Sequence, residues 1–129
     1  MLNLGKTHDH LTVVNDQFGS PTYTYDLARL LVDMVLTDKY GIYHATNEGG
    51  YISWYDFARE IFAQAAALGH EEYDAAHLTV KPVTTAEYGA SKAARPFNSR
   101  LDKSKLTEQG FTPLPTWQDA LTRYLQEVL

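Results

Sequence analysis

The sequence predicts an α/β fold with little sheet. Short β-branched or aromatic runs, at residues 11–14, 41–46 and 77–83, alternate with longer segments whose apolar residues recur at helical spacing. Gly or Pro marks most of the junctions between them. Alternation of this kind gives strands crossed by helices, and so few strands leave the sheet thin.

The elements follow in order. Residues 1–8 carry Leu2 and Leu4 and then turn polar, reading as the tail of a helix whose beginning is missing. Residues 11–14 are a strand, broken by Gly19 and Pro21. From Asp26 to about Asp38 a helix places Leu27, Leu30, Leu31, Met34 and Val35 on one face. Residues 41–46 read as a second strand, and the two glycines of Asn47-Glu48-Gly49-Gly50 suit a loop with positive φ. Ser53 and Asp56 form a near capping box for a helix reaching about Leu68, with Trp54, Phe57, Ile61 and Phe62 inward. Residues 77–83 are a third strand, which Pro82 demotes to an edge or an end. Residues 87–99 show no clean period and read as an ordered loop. Asp102 caps a short helix through Leu106. Thr116 caps the last helix, with Trp117, Ala120, Leu121, Tyr124 and Leu125 inward.

A length of 129 residues sets an upper bound of one domain, and 44% apolar residues suffice for a core. The set of strands is thin for an independent domain, and Trp54, Trp117 and the tyrosines are expected to leave apolar surface needing a partner. The net charge is −5 and the basic residues are scattered, which argues against nucleic-acid binding but not against a phosphate held by one or two arginines. The chain has no cysteine, so a disulfide scaffold, a thiolate metal site and a Cys nucleophile are excluded. No stretch is long and apolar enough for a membrane span, and the N-terminus does not read as a signal peptide; a cytoplasmic protein is the default expectation.

Chemistry-bearing residues gather at two places. At the exit of the first strand stand Asp16, Gln17, Gly19, Thr22 and Tyr23, where α/β folds bind ligands. The bland alternative is that Asp16 and Gln17 tie down a turn and Asp26 caps a helix. Arg95 and Arg100 flank Pro96, Asn98 and Ser99, and a guanidinium fork suits a phosphate as well as it suits a surface acid. His44 reads as a packed histidine, His8 and His10 as a solvated helix end, and the acids form no spaced metal cluster. No glycine-rich dinucleotide turn is present. Tyr88 and Lys92 have the bare spacing of a reductase Tyr-x-x-x-Lys pair, but in a Gly-containing loop, and are read as chance.

Four segments then carry a resemblance: "VVNDQFGSPTYTYDLA", "GIYHATNEGGYISWYDFAREIF", "VKPVTTAEYGASKAARPFNSRLDKSKL" and "GFTPLPTWQDALTRYL". Together they resemble the dTDP-4-dehydrorhamnose reductases of the extended short-chain dehydrogenase/reductase superfamily, along nearly the whole chain. The resemblance is to the C-terminal part only. It implies a single substrate-binding lobe over residues 1–129, truncated from a Rossmann-type reductase and lacking the N-terminal dinucleotide-binding domain. It implies a dTDP-sugar ligand, contacted through Gln17, Gly19, Pro21, Thr22, Arg95, Asn98 and Ser99, with Arg95 on the diphosphate and Asn98 as a polar contact or loop support. No catalytic, cofactor or metal residue is assigned. NADPH or NADH would serve the full-length parent and is not expected on this chain, which alone is expected to have no reductase activity. The parent would make dTDP-L-rhamnose for surface polysaccharide. Expected partners are the missing Rossmann domain and a second copy through the exposed lobe surface. The alternative is a non-catalytic module similar to the regulatory subunit of methionine adenosyltransferase.

Overall fold

A computed structural model describes residues 1–89 and 92–129. The elements in chain order are α1 (Leu2–Gly5), β1 (His10–Val14), β2 (Phe18–Gly19), α2 (Thr24–Val35), β3 (Ile52–Ser53), α3 (Trp54–Ala67), a 3-10 turn (Glu71–Tyr73), β4 (Thr79–Val83), α4 (Thr85–Tyr88), α5 (Ser104–Glu108) and α6 (Trp117–Val128). β1 and β4 pair in parallel, from His10 opposite Thr79 to Val14 opposite Val83. Pro82 lies inside that register opposite Val13. It is tolerated because β4 has one neighbour, so its missing N–H can face away from the ladder. β2 and β3 form a second, antiparallel pair of two residues each.

The larger of two core clusters is built around α3. Ala58, Ile61, Phe62 and Ala65 pack with Tyr73, Leu78 and the Trp117, Leu121 and Leu125 face of α6, over Leu11, Val13 and Val80 of the sheet. A second cluster joins Leu30 of α2 to Leu106, Phe111 and Leu114, with Leu27, Met34, Tyr43 and Ala45 against it. α3 begins on the expected box: the Asp56 amide donates to the Ser53 hydroxyl (3.1 Å), and the Ser53 amide donates to the Asp56 carboxylate (3.0 Å). Gly49 has φ +106°, and a Cβ there would stand 2.9 Å from the Trp117 ring, so both backbone and space require glycine.

Several expectations need correction. Residues 41–46 carry no ladder, because no strand among the described residues lies beside them. They keep the alternation of a strand, with Tyr43 and Ala45 packed inward and Ile42 and His44 exposed. Leu31 and Val35 also face outward, so only Leu27, Leu30 and Met34 of the predicted α2 face reach the core. Trp54 is 58% exposed whereas Trp117 is 5% exposed, so only the second tryptophan is a core residue. Tyr124 is exposed as well. The expected loop at 87–99 overlaps a one-turn helix, α4, with its own capping box between Thr84 and Glu87; Ala90 and Ser91 of that loop lie outside the described residues. Asp26 does not cap α2, whose N-cap is Tyr23. Asp102 accepts the Ser104 amide at 2.8 Å at the start of α5, which runs to Glu108 rather than Leu106.

Candidate functional site

Three backbone segments meet around Phe18. β3 pairs with β2 on one side, Phe18 against Ser53 and Gly19 against Ile52. On the other, the Phe18 amide donates to the Phe97 carbonyl (2.9 Å) and the Ser99 amide donates to the Phe18 carbonyl (2.8 Å). Arg100 clamps this seam with its guanidinium 4.7 Å from the Phe18 ring centre and 5.8 Å from that of Tyr51. Asn98 accepts from both the backbone and the guanidinium of Arg100, at 3.2 and 3.3 Å.

The seam is one wall of an open cleft of about 370 Å³, within the range of small-ligand sites. Gln17, Gly19, Pro21, Arg95 and Ser99 all line it. Thr22 does not; it lines an adjoining apolar cavity of about 270 Å³ that shares Pro21 and Phe57 with the first. Asn98 does not line it either, and its side chain serves the loop through Arg100. Ser20, Ile52, Trp54 and Phe57 also line the cleft and were not among the sequence candidates. Ser20 adjoins Gly19 in the same turn, a signal that could have found it. For Trp54 the helical period is misleading, because it places the residue on the face of Ala58 and Ile61, which are in the core, while the Trp54 side chain is 58% exposed.

Electrostatics single this cleft out. Arg95 is the one ionisable residue lining it, and among the described residues its guanidinium has no ion-pair or hydrogen-bond partner. A larger depression of about 690 Å³ elsewhere is lined by Asp56, Glu60 and Asp74 beside Arg59, which suits an anion poorly. Asp16 stays outside the cleft lining, and its carboxylate accepts from the Thr85 hydroxyl (2.6 Å) and amide (3.0 Å). Those bonds hold its carboxyl below the usual carboxylate range. Gln17 donates to the same Thr85 hydroxyl at 3.1 Å, so the strand exit and α4 are tied together.

The turn is anchored from behind. The Tyr23 amide donates to Asn47 Oδ1 (2.7 Å), and Asn47 Nδ2 donates to Asp26 Oδ2 (2.8 Å). Arg123 of α6 donates to the same oxygen at 2.7 Å. Buried Asp26 thereby fixes α2, the 47–50 loop and α6 to one another beneath Pro21 and Thr22.

The residues present do not fit a nicotinamide dinucleotide. Tyr88 ends a helix of one turn and Gly89 follows in the left-handed conformation, so Lys92 does not share a helix face with it. β1 opens on Asn15-Asp16-Gln17 rather than a glycine-rich turn. Among the described residues no group of three or more His, Asp or Glu side chains is placed to hold a metal ion. No helix among them is long and apolar enough to cross a membrane.

Fold and cleft together describe an α/β lobe with an open cleft, lined by Arg95 and no acid, between three backbone segments. The chain belongs to the RmlD substrate binding domain family, whose model matches residues 1–129. It is 44% identical over 128 residues to dTDP-4-dehydrorhamnose reductase of Aggregatibacter actinomycetemcomitans, covering 94% of this chain and 42% of that protein. It is 41% identical over 127 residues to the spore coat polysaccharide biosynthesis protein SpsK of Bacillus subtilis (strain 168), covering 98% of this chain and 40% of that one. Among solved structures, a dTDP-4-dehydrorhamnose reductase from Clostridium acetobutylicum matches with a TM-score of 0.85 at 38% identity, over 98% of this chain and 41% of that chain. The reductase from Bacillus anthracis solved in complex with NADP matches with a TM-score of 0.84 at 37% identity, with the same coverage of 98% and 41%. The chain therefore spans well under half the length of the relatives it matches.

Proposed function

We propose that this chain is the lobe that holds the sugar nucleotide in a dTDP-4-dehydrorhamnose reductase. In that enzyme the C4 ketone of dTDP-4-dehydro-L-rhamnose is reduced to the alcohol of dTDP-L-rhamnose, with NADPH or NADH as reductant, in the cytoplasm and in the service of surface polysaccharide. The observation that carries the reading is the cleft with Arg95 as its one ionisable lining residue, in a chain of net charge −5. A diphosphate supplies the negative charge such a site lacks, and the guanidinium fork can bind two of its oxygens at once. Gln17, Ser99 and the backbone at Gly19 and Pro21 form the adjoining wall, and Thr22 and Asn98 support the turn and the loop.

The dinucleotide is held by residues outside this chain. The lobe that carries it, or a second copy of this chain, covers the outward faces of α2 and residues 40–46, where Val35 is 77% exposed and Tyr40 and Ile42 are each 84% exposed.

Calorimetric titration of the purified chain with dTDP-L-rhamnose tests the cleft. Arg95→Ala should raise the Kd tenfold or more, since a charge-assisted hydrogen bond contributes about 1.5–3 kcal/mol. An unchanged Kd removes Arg95 from the ligand and the reading loses its main support.

A further inference from the structure

We infer that the Trp54 indole is a stacking platform for the thymine base of the nucleotide, in the cleft whose cation is Arg95. The inference rests on the reading of that cleft as a sugar-nucleotide site and adds the group that recognises the base.

Trp54 and Trp117 make a natural comparison. Trp117 is buried, meets Phe57 edge-on at 5.9 Å and donates its indole N–H to the Gly49 carbonyl at 3.2 Å. Trp54 lines the cleft, more than half exposed, and among the described residues its ring has no aromatic neighbour and its N–H no acceptor. So large an apolar ring left in water is a recognition group when it borders a cavity of ligand size. Its backbone is held in advance. The preceding residue, Ser53, is buried, engages Asp56 in the capping box, and has its hydroxyl 2.8 Å from Asn15 Oδ1. What a ligand lying against the ring must still order is the indole's own rotamer freedom, not the backbone.

The rest of the lining decides between base and sugar. Phe18, Pro21, Ile52, Phe57 and Pro96 are apolar. Two of the polar groups are already engaged, Gln17 with Thr85 at 3.1 Å and Ser20 with the Gly50 carbonyl at 3.3 Å. That leaves the Ser99 hydroxyl and the remaining amide atoms of Gln17 as free side-chain partners, few for a pyranose ring with several hydroxyls. A thymine is flat, so it takes an aromatic face and an apolar contact at its C5 methyl, and it asks polar partners only for O2, N3–H and O4. Arg95 then takes the diphosphate, and the sugar extends away from the ring.

The test uses the purified chain, with dTDP, inorganic pyrophosphate and dTDP-L-rhamnose as probes, in wild type, Trp54→Ala and Trp54→Phe. Affinities come from calorimetry and stacking from tryptophan fluorescence. Melting curves establish that each variant is folded, as expected for an exposed position. dTDP should quench wild-type fluorescence saturably, and pyrophosphate should bind without comparable quenching. Trp54→Ala should raise the Kd for dTDP about tenfold, as loss of one base–aromatic stack does. Trp54→Phe should restore most of that affinity, and pyrophosphate should bind all three proteins alike. Unchanged dTDP affinity in Trp54→Ala, with Arg95→Ala still impaired, overturns the stacking and leaves the cleft reading intact. Quenching by dTDP-L-rhamnose but not by dTDP overturns it too, by placing the ring against the sugar. Absence of binding by all three probes to the wild-type chain overturns the cleft reading and the stacking with it.

Discussion

Asp26 lies in the first turn of α2 with 3% of its surface exposed. Desolvation raises its pKa, but the hydrogen bonds from Arg123 and Asn47 and the Arg123 charge outweigh it, so the carboxyl titrates below its usual range. A depressed folded pKa means the carboxylate adds stability above the unfolded value, near pH 4, and that this stability is lost as pH falls through the folded value. Denaturant midpoints measured against pH should therefore decline below about pH 4, and Asp26→Asn should flatten that decline. Arg123→Ala should cost about 2–3 kcal/mol in urea unfolding, because it strips a buried carboxylate of its cation; partial exposure of Arg123 keeps the loss below that of a fully buried pair. The sequence shows Asp26 only as a residue near a helix start, where a cap is the natural reading. Its partner Arg123 is 97 positions away, and nothing local announces that pairing.

At the level of elements, local signals were readable and non-local ones were not. The α3 box is written in four consecutive residues, Ser53 to Asp56, and forms as expected. Ser53→Ala should lower stability by about 1–2 kcal/mol, toward the upper end because the hydroxyl also faces Asn15, as urea midpoints would show. α4 is an exception on the local side: its capping box is written in Thr84 to Glu87, but Gly89 ends the helix after one turn, too short to show a period, and its tie to Asp16 lies 69 positions from Thr85. The two-residue strands β2 and β3 carry no period at all, and only their pairing across the chain defines them. Residues 41–46 show the opposite case. Their alternation is that of a strand and Tyr43 and Ala45 do pack inward, yet a strand needs a neighbour that the described residues do not supply.

Across the molecule, the two polar segments singled out in the sequence, the strand-exit turn and the Arg95 loop, come together at Phe18 although a long stretch of chain separates them. Residue type and turn chemistry made them visible as candidates, but their meeting in one cleft depends on tertiary pairing, and so does the appearance of Trp54 beside them. The proposal that the outward face of α2 and residues 40–46 is covered by another lobe or copy has its own check. Val35→Lys with Ile42→Lys should leave unfolding stability within about 0.5 kcal/mol, since both side chains are exposed, while light scattering shows less self-association at high concentration. A large loss of stability, or association that persists unchanged, would place the covered face elsewhere.

The most direct measurement is the amide spectrum of the isotopically labelled chain during titration with dTDP-L-rhamnose. Saturable shifts should concentrate at the amides of residues 17–20, 52–54, 95 and 97–99, in the segments that wall the basic cleft. No saturable shift, or shifts centred on Asp56, Glu60 and Asp74 in the acidic depression, would contradict a sugar nucleotide held at Arg95.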